Sequence, residues 1–454
     1  MAEGVMRFKE HSLTEGNITP QLIRFAIPYM SANLLQALYG AIDTVIVGHY
    51  TNAAGLSAAA IGSQFMFLIN GIIIGLSLGG TILIARYFGA KSDTDIKETI
   101  GTMFTLFAIV SIALTMVMFA SVRPLVRVLQ TPSEAVSQTE GYIFISSAGI
   151  SFMFAYNALS AMLRGFGDSK SPLAFVAIAS VCNVIGDLIL VAVFKMGAPG
   201  AALATILSQG LSAALAVIYL KKQNFHFDFK LDSFRIKREK LKNLIKIGLP
   251  MCVQMSMTTV SFMFIMATVS VMGGVVASAA IGITSKINGF VMLPPIAFSA
   301  AISAMVSQNM GAGRPKRAIK CLYVGISVTL IFGVISFALL QFFSPAVINI
   351  FTPDTELIRA TSLYLKSFSI DCILVCFVFC LNGFFNGCGH TRFSMINNLM
   401  AAFLIRVPAT WLLSKIPGAD LFSIGFATPM SSLLSITIGI IYLRSGRWRK
   451  LKLS

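Results

Sequence analysis

Long apolar stretches separated by short polar breaks run through the chain, near residues 21–48, 54–86, 98–121, 135–163, 171–195, 198–220, 243–272, 275–307, 318–343, 357–386, 391–414 and 420–443. Each is longer than about 18 residues, the length at which an apolar run reads as a membrane span rather than a core segment. The pattern predicts twelve spans and an all-α polytopic membrane protein. An even number puts both termini on one side.

Composition agrees with this reading, because 56% of the 454 residues are hydrophobic and only 12% are charged, far from the balance of a soluble domain. The first twenty residues carry Glu3, Arg7, Lys9, Glu10 and Glu15 with no apolar core, so the first apolar stretch is expected to be a span and not a cleaved signal. The net charge of +17 has a topological explanation. If the termini are cytoplasmic, 26 of the 35 Lys and Arg residues lie in loops and tails on that side, as the positive-inside rule requires of a cell (inner) membrane protein. The basic linker KKQNFHFDFKLDSFRIKREKLKN is then a cytoplasmic connector near anionic headgroups; no nucleic-acid partner is expected.

The two halves repeat. IRFAIP (23–28) returns as IKIGLP (245–250), ARYFGA (85–90) as SQNMGA (307–312) and GFGD (165–168) as GCGH (387–390), always 222 residues later and in the same order. Such a fixed offset marks a duplication. It predicts an N-terminal six-helix bundle (1–220), a linker (221–242) and a C-terminal bundle (243–454), two parallel bundles related by a pseudo-two-fold axis along the membrane normal. Alternating-access transporters use this plan.

Against this apolar background, acids inside spans stand out. Asp43 lies in LQALYGAIDTVIVGHY and Asp187 in CNVIGDLIL, and an intramembrane acid costs roughly 2.5 to 3.5 kcal/mol on insertion scales, which makes each a functional candidate. Asn183 and Asp187 are four apart and share a helix face.

Several motifs resemble the multidrug and toxic compound extrusion (MATE) family across essentially the whole chain: Pro28 followed by YGAIDTVIVG, the small-residue ends YFGA and NMGAG, the LRGFGDSKSP loop and the basic central linker. The resemblance implies secondary active export of bulky, amphipathic and often cationic compounds, driven by inward H⁺ or Na⁺. It also implies a cation site made of Asp43, Asn183, Asp187 and Thr205, whose oxygens suit Na⁺ and whose carboxylates could carry a proton. Counted from the predicted span ends at about 1.5 Å per residue, Asp43, Asp187 and Thr205 share a depth roughly 8–12 Å below the outer surface.

This sequence departs from the family in its second half. No acid falls near Thr258 on span seven, where Gln254 is the nearest polar alternative, and Asp371 on span ten lies about one turn early against NGFFNGCG. Gln254, Asp371 and Lys286 are the candidate cleft residues for substrate. Asp371 either pairs with Arg406 to hold the second bundle together or draws cationic substrate. Pro28 lies fifteen residues before Asp43, so a bend there would couple protonation of the carboxylate to movement of span one.

Structural readings stand beside these: Asp43 could reach the outer headgroups, and Asn183–Asp187 could fix packing. The run GIIIGLSLGG places Gly71, Gly75 and Gly79 four apart for close helix packing, and the seven cysteines read as small hydrophobes. There is no Walker motif, and the membrane aspartates lie in Ile42-Asp43 and Val184-Ile185-Gly186-Asp187 rather than in the Tyr-Asp and Gly-x-Gly-Asp pair of an intramembrane aspartyl protease, so the chain is read as no enzyme. No cofactor is expected beyond H⁺ or Na⁺ as coupling ion. Small amphipathic cations and the lipid bilayer are the expected partners, and a monomer the expected state. The competing function is export of a lipid-linked saccharide. Its anionic headgroup would need several cleft cations, whereas only Lys286 and Arg406 lie in mid-span.

Overall fold

A computed structural model describes residues 12–128, 131–222, 227, 230–418 and 420–450, and among them every regular element is a helix. In chain order the first half contains α1 (Ile18–Tyr50), α2 (Ala53–Gly89), α3 (Asp93–Val128), α4 (Val136–Ala148), α5 (Ile150–Gly165), α6 (Lys170–Asp187) and α7 (Ala198–Lys222). The second half contains α8 (Arg238–Met272), α9 (Gly274–Val291), α10 (Leu293–Gly311), α11 (Pro315–Phe342), α12 (Thr355–Phe368), α13 (Asp371–Gly387), α14 (Thr391–Met400), α15 (Val407–Ser414), α16 (Leu421–Gly425) and α17 (Ala427–Arg444). Among the described residues, ten helical runs are long and apolar enough to cross a membrane. Two bent pairs, α4 with α5 at 41° and α12 with α13 at 48°, also reach span length, which completes the twelve spans when each pair counts once.

Local sequence explains the boundaries. Asn52 caps α2 by accepting from Gly55 N at 3.1 Å, and Asp168 caps α6 by accepting from Lys170 N and Ser171 N, both at 3.0 Å; such side chains satisfy N–H groups that a helix start leaves unpaired. Gly274, at φ 58°, separates α8 from α9, a conformation that favours glycine. Pro294 and Pro295 open α10 after a break at Met292, where a missing N–H does no harm. Pro28, by contrast, sits inside a continuous α1.

The repeat is visible in the irregularities. The fourth span of each half is the bent one, and the fifth span of each half contains a π-helical segment, Leu188–Val193 after α6 and Ala401–Arg406 between α14 and α15. A π turn widens the helix by one residue and recurs at functional sites.

Contacts divide the chain into two units. One is built from Ile27–Cys252; the other joins Leu13–Ala26 to the described residues from Val253 onward. The division therefore falls inside α1 and α8, beside Pro28 and Pro250, and not within the 221–242 linker, of which 223–226 and 228–229 lie outside the described residues.

Two docked segments account for the boundaries. In the first unit, Phe227 and Phe234 pack on Phe104, Lys237 N donates to Thr102 Oγ1 at 3.1 Å, and the almost fully buried Lys240 ammonium meets Asp95 at 2.5 Å. In the second, Leu13 N donates to Gln308 Oε1 at 2.9 Å, while Arg314 and Arg317 donate to the carbonyls of Thr14 and Gly16 at 2.7 and 2.8 Å.

Gly75 and Gly79 permit the close packing of α2 on α8. A Cβ at Gly75 would lie 2.6 Å from Cys252 N, and one at Gly79 would lie 2.9 Å from Gly248 Cα.

Candidate functional site

Three helices of the first unit bring the predicted residues together. Asp43 projects from α1, Asn183 and Asp187 from the last two turns of α6, and Thr205 from α7; Asn183 and Asp187 are fully buried. Thr205 Oγ1 donates to Asp43 Oδ2 at 3.3 Å, and Asn183 Nδ2 donates to Thr205 Oγ1 at 3.4 Å. The carboxyl groups of Asp43 and Asp187 lie within hydrogen-bonding reach of each other.

Two ionised carboxylates cannot hydrogen-bond, since both only accept. Asp43 Oδ1, both carboxylate oxygens of Asp187 and Asn183 Oδ1 are buried without a donor among the described residues. Four buried oxygens in this condition carry a large desolvation cost, which either a proton shared by the pair or a small hard cation would offset. The set of two carboxylates, an amide oxygen and a hydroxyl fits Na⁺ as well as H⁺.

The surroundings differ on the two sides. One helical turn toward the Tyr50 end of α1, Ile46 and Val47 form a buried apolar cluster with Val191 and Ala201, against which Ala59 and Val184 pack. Val191 lies one turn beyond Asp187, and Ala201 one turn before Thr205 on the antiparallel α7. A dry layer therefore covers that side.

One turn the other way, Gln209 Nε2 donates to the Tyr39 hydroxyl at 3.4 Å. Tyr142 also lies within electrostatic range of both aspartates. These three residues went unread in the sequence. Gln209 and Tyr39 could have been found as the i+4 and i−4 neighbours of Thr205 and Asp43; Tyr142, on another helix, gave no such signal.

Asp187 ends α6 where the π segment begins. In an α-helix the Asp187 carbonyl would accept from Val191 N; widening at this point changes the hydrogen-bond register directly behind the carboxylate.

The second unit's candidates do not assemble similarly. Asp371 is buried at the start of α13, within reach of the Ser432 hydroxyl and in the field of Arg406. No ion pair within 4.0 Å joins Asp371 to Arg406 among the described residues. Arg406 instead donates from Nε to Ser431 Oγ and from Nη1 to Ser261 Oγ, both at 3.2 Å, with its guanidinium 5.1 Å from the Phe262 ring centre. Gln254 is half-buried on α8, and Lys286 is exposed on α9; neither shares a hydrogen bond or ion pair with Asp371 among the described residues.

Comparison with known proteins completes the picture. Residues 28–189 and 250–412 each match the MatE family, the two matches beginning at Pro28 and Pro250. The chain is 30% identical to "Probable multidrug resistance protein YpnP" of Bacillus subtilis (strain 168), covering 98% of this chain and 99% of that protein. It is 25% identical to "Probable multidrug resistance protein NorM" of Thermotoga maritima, covering 95% and 94%. A solved structure described as the outward-facing conformation of a multidrug resistance MATE family transporter shares the fold, with a TM-score of 0.91, 21% identity and coverage of 97% and 98%. With the family matched once in each half and the whole length shared with these relatives, the chain belongs to the MatE family and is a multi-pass membrane transporter, not an enzyme.

Proposed function

We propose that the protein is a secondary active multidrug antiporter of the cell membrane, with both termini cytoplasmic. It exports bulky amphipathic cations by alternating access in exchange for inward H⁺ or Na⁺. The observation that carries this reading is the approach of the Asp43 and Asp187 carboxyl groups amid buried oxygens without donors.

Asp43, Asn183, Asp187 and Thr205 hold the coupling ion, whose single positive charge halves the charge of the ionised aspartate pair. Halving it relaxes the repulsion between α1 and α6 and weakens the attraction for a cationic drug. Mutual exclusion of this kind is what antiport requires, because a ligand shifts a conformational equilibrium only through its differential affinity for the two states. Pro28 supplies a point in α1 at which a local bend carries the change away from Asp43, since a proline removes one helical hydrogen bond. Gln254, Asp371 and Lys286 are retained as candidate cleft residues for substrate.

Transport of a fluorescent amphipathic cation in reconstituted vesicles, under Na⁺ and pH gradients imposed separately, tests the proposal. Uptake driven by at least one gradient is expected. Transport indifferent to both would overturn it.

A further inference from the structure

The two centres differ in one decisive respect. With the repeat offset applied, Ser261 and Ser431 occupy the positions of Tyr39 and Gln209, the residues that hydrogen-bond each other one turn from the aspartate pair. In the second unit the corresponding serines do not meet each other. Arg406, the last residue of the fifth-span π segment, donates to both of them.

A guanidinium thus lies between the seventh and twelfth spans, where the first unit has the Tyr39–Gln209 hydrogen bond between its first and sixth. Nearby stand Asp371, buried with one carboxylate oxygen lacking a donor, and the Tyr364 hydroxyl, which also feels the charge of Arg406. Among the described residues, the first centre holds two acids and no base, and the second one acid and one base.

We infer that Arg406 is a resident cation standing where a coupling ion would otherwise be required, so that the second unit is neutral by itself and binds no ion during transport. This rests on the proposed antiport only in naming the ion; the charge balance is a property of the chain. A guanidinium suits the task because it stays charged in all conditions and spreads its charge over several donors. Its bonds to neutral hydroxyls, together with its place over Phe262, hold it without a tight ion pair. Asp371 is thereby compensated through the field of Arg406, without contact. An unpaired acid in a span would instead demand a cation from solution.

The test is the cation dependence of thermal stability in the purified full-length protein in detergent, since a ligand that binds only the folded state raises Tm. Sodium chloride, or millimolar guanidinium chloride, is compared with choline chloride at equal ionic strength. In an Asp43→Asn, Asp187→Asn background, no specific shift is expected while Arg406 is present. Adding Arg406→Gln is expected to create a rise of a few degrees with Na⁺ or guanidinium, and further addition of Asp371→Asn to remove it. A folded Arg406→Gln protein with no new cation response would overturn the inference. If Arg406→Gln prevents folding, restoration of folding by Asp371→Asn supports charge compensation; failure of both variants to fold overturns it. Should the two aspartate substitutions leave the original cation response intact, the antiport site is wrong, while the comparison with and without Arg406 still decides the present inference.

Discussion

Asp43 on α1 and Asp187 on α6 approach each other with, among the described residues, no basic side chain in hydrogen-bonding contact with either, and Thr205 is the donor hydrogen-bonded to Asp43. A pair held for stability alone would be matched with a cation, because leaving buried charge uncompensated is strongly destabilising. Asn183 extends the contact but turns its oxygen toward no donor. On the proposed function, the cluster accepts positive charge.

Thr205 should tune ion affinity without being indispensable. Replacing it by valine removes one hydroxyl contact at nearly constant volume, worth about 1 kcal/mol, and so is expected to raise the half-saturating ion concentration by roughly five- to tenfold. Thr205→Ser should stay close to the parent. Ion titrations of drug transport in vesicles measure both; a valine variant with unchanged affinity would exclude the hydroxyl from the site.

The dry layer of Ile46, Val47, Val191 and Ala201 should act as a seal. Val191→Ser places a hydroxyl in the layer, which favours water entry. Ion flux without drug is expected to increase several-fold while drug-coupled flux falls. Flux at the parental level in both assays would show that these side chains only pack.

Asp95 and Lys240 fix the start of α8 to the start of α3. Lys240 is buried and Asp95 about a third exposed, so solvent screens part of their attraction. Lys240→Ala is expected to cost about 1–3 kcal/mol, the range for a hydrogen bond to a charged group. Asp95→Asn combined with Lys240→Met should cost less than the two single losses together. Thermal unfolding in detergent reads both effects, and strict additivity would argue against a direct pair.

Gly75 cannot accept a side chain without displacing α8. Gly75→Leu forces carbon atoms into the Cys252 backbone, and overpacking of this kind costs about 1–3 kcal/mol or more. Lower yield and a lower Tm are the expected readouts. A solvent-exposed control, Gly313, has no heavy atom within 4 Å of a built Cβ but a φ of +68°, so Gly313→Asn is the milder comparison.

Much of this architecture was legible because the bilayer imposes a simple rule: a span must be apolar over about twenty residues. Length and hydropathy therefore predicted twelve spans, and the 222-residue offset predicted the repeat. The meeting of Asp43, Asn183, Asp187 and Thr205 was legible through resemblance, supported by the i, i+4 spacing of Asn183 and Asp187.

The exchanged starts of α1 and α8 were hidden, since they depend on main-chain bonds such as Leu13 to Gln308 between distant residues. The π segments left no periodic mark in runs as uniformly apolar as LILVAV. Nor could the sequence separate the two readings of Asp371 and Arg406. Serine is common in spans, and only the fold shows Ser261 and Ser431 holding the guanidinium while Asp371 forms no ion pair with it among the described residues.

Drug-driven ion flux through vesicles containing Asp43→Asn, Asp187→Asn or both substitutions tests the shared cation site most directly. Each single change should abolish coupling, and the double variant should be no worse than either, because the two carboxyl groups serve one ion. Parental coupling in either well-folded single variant would contradict the account.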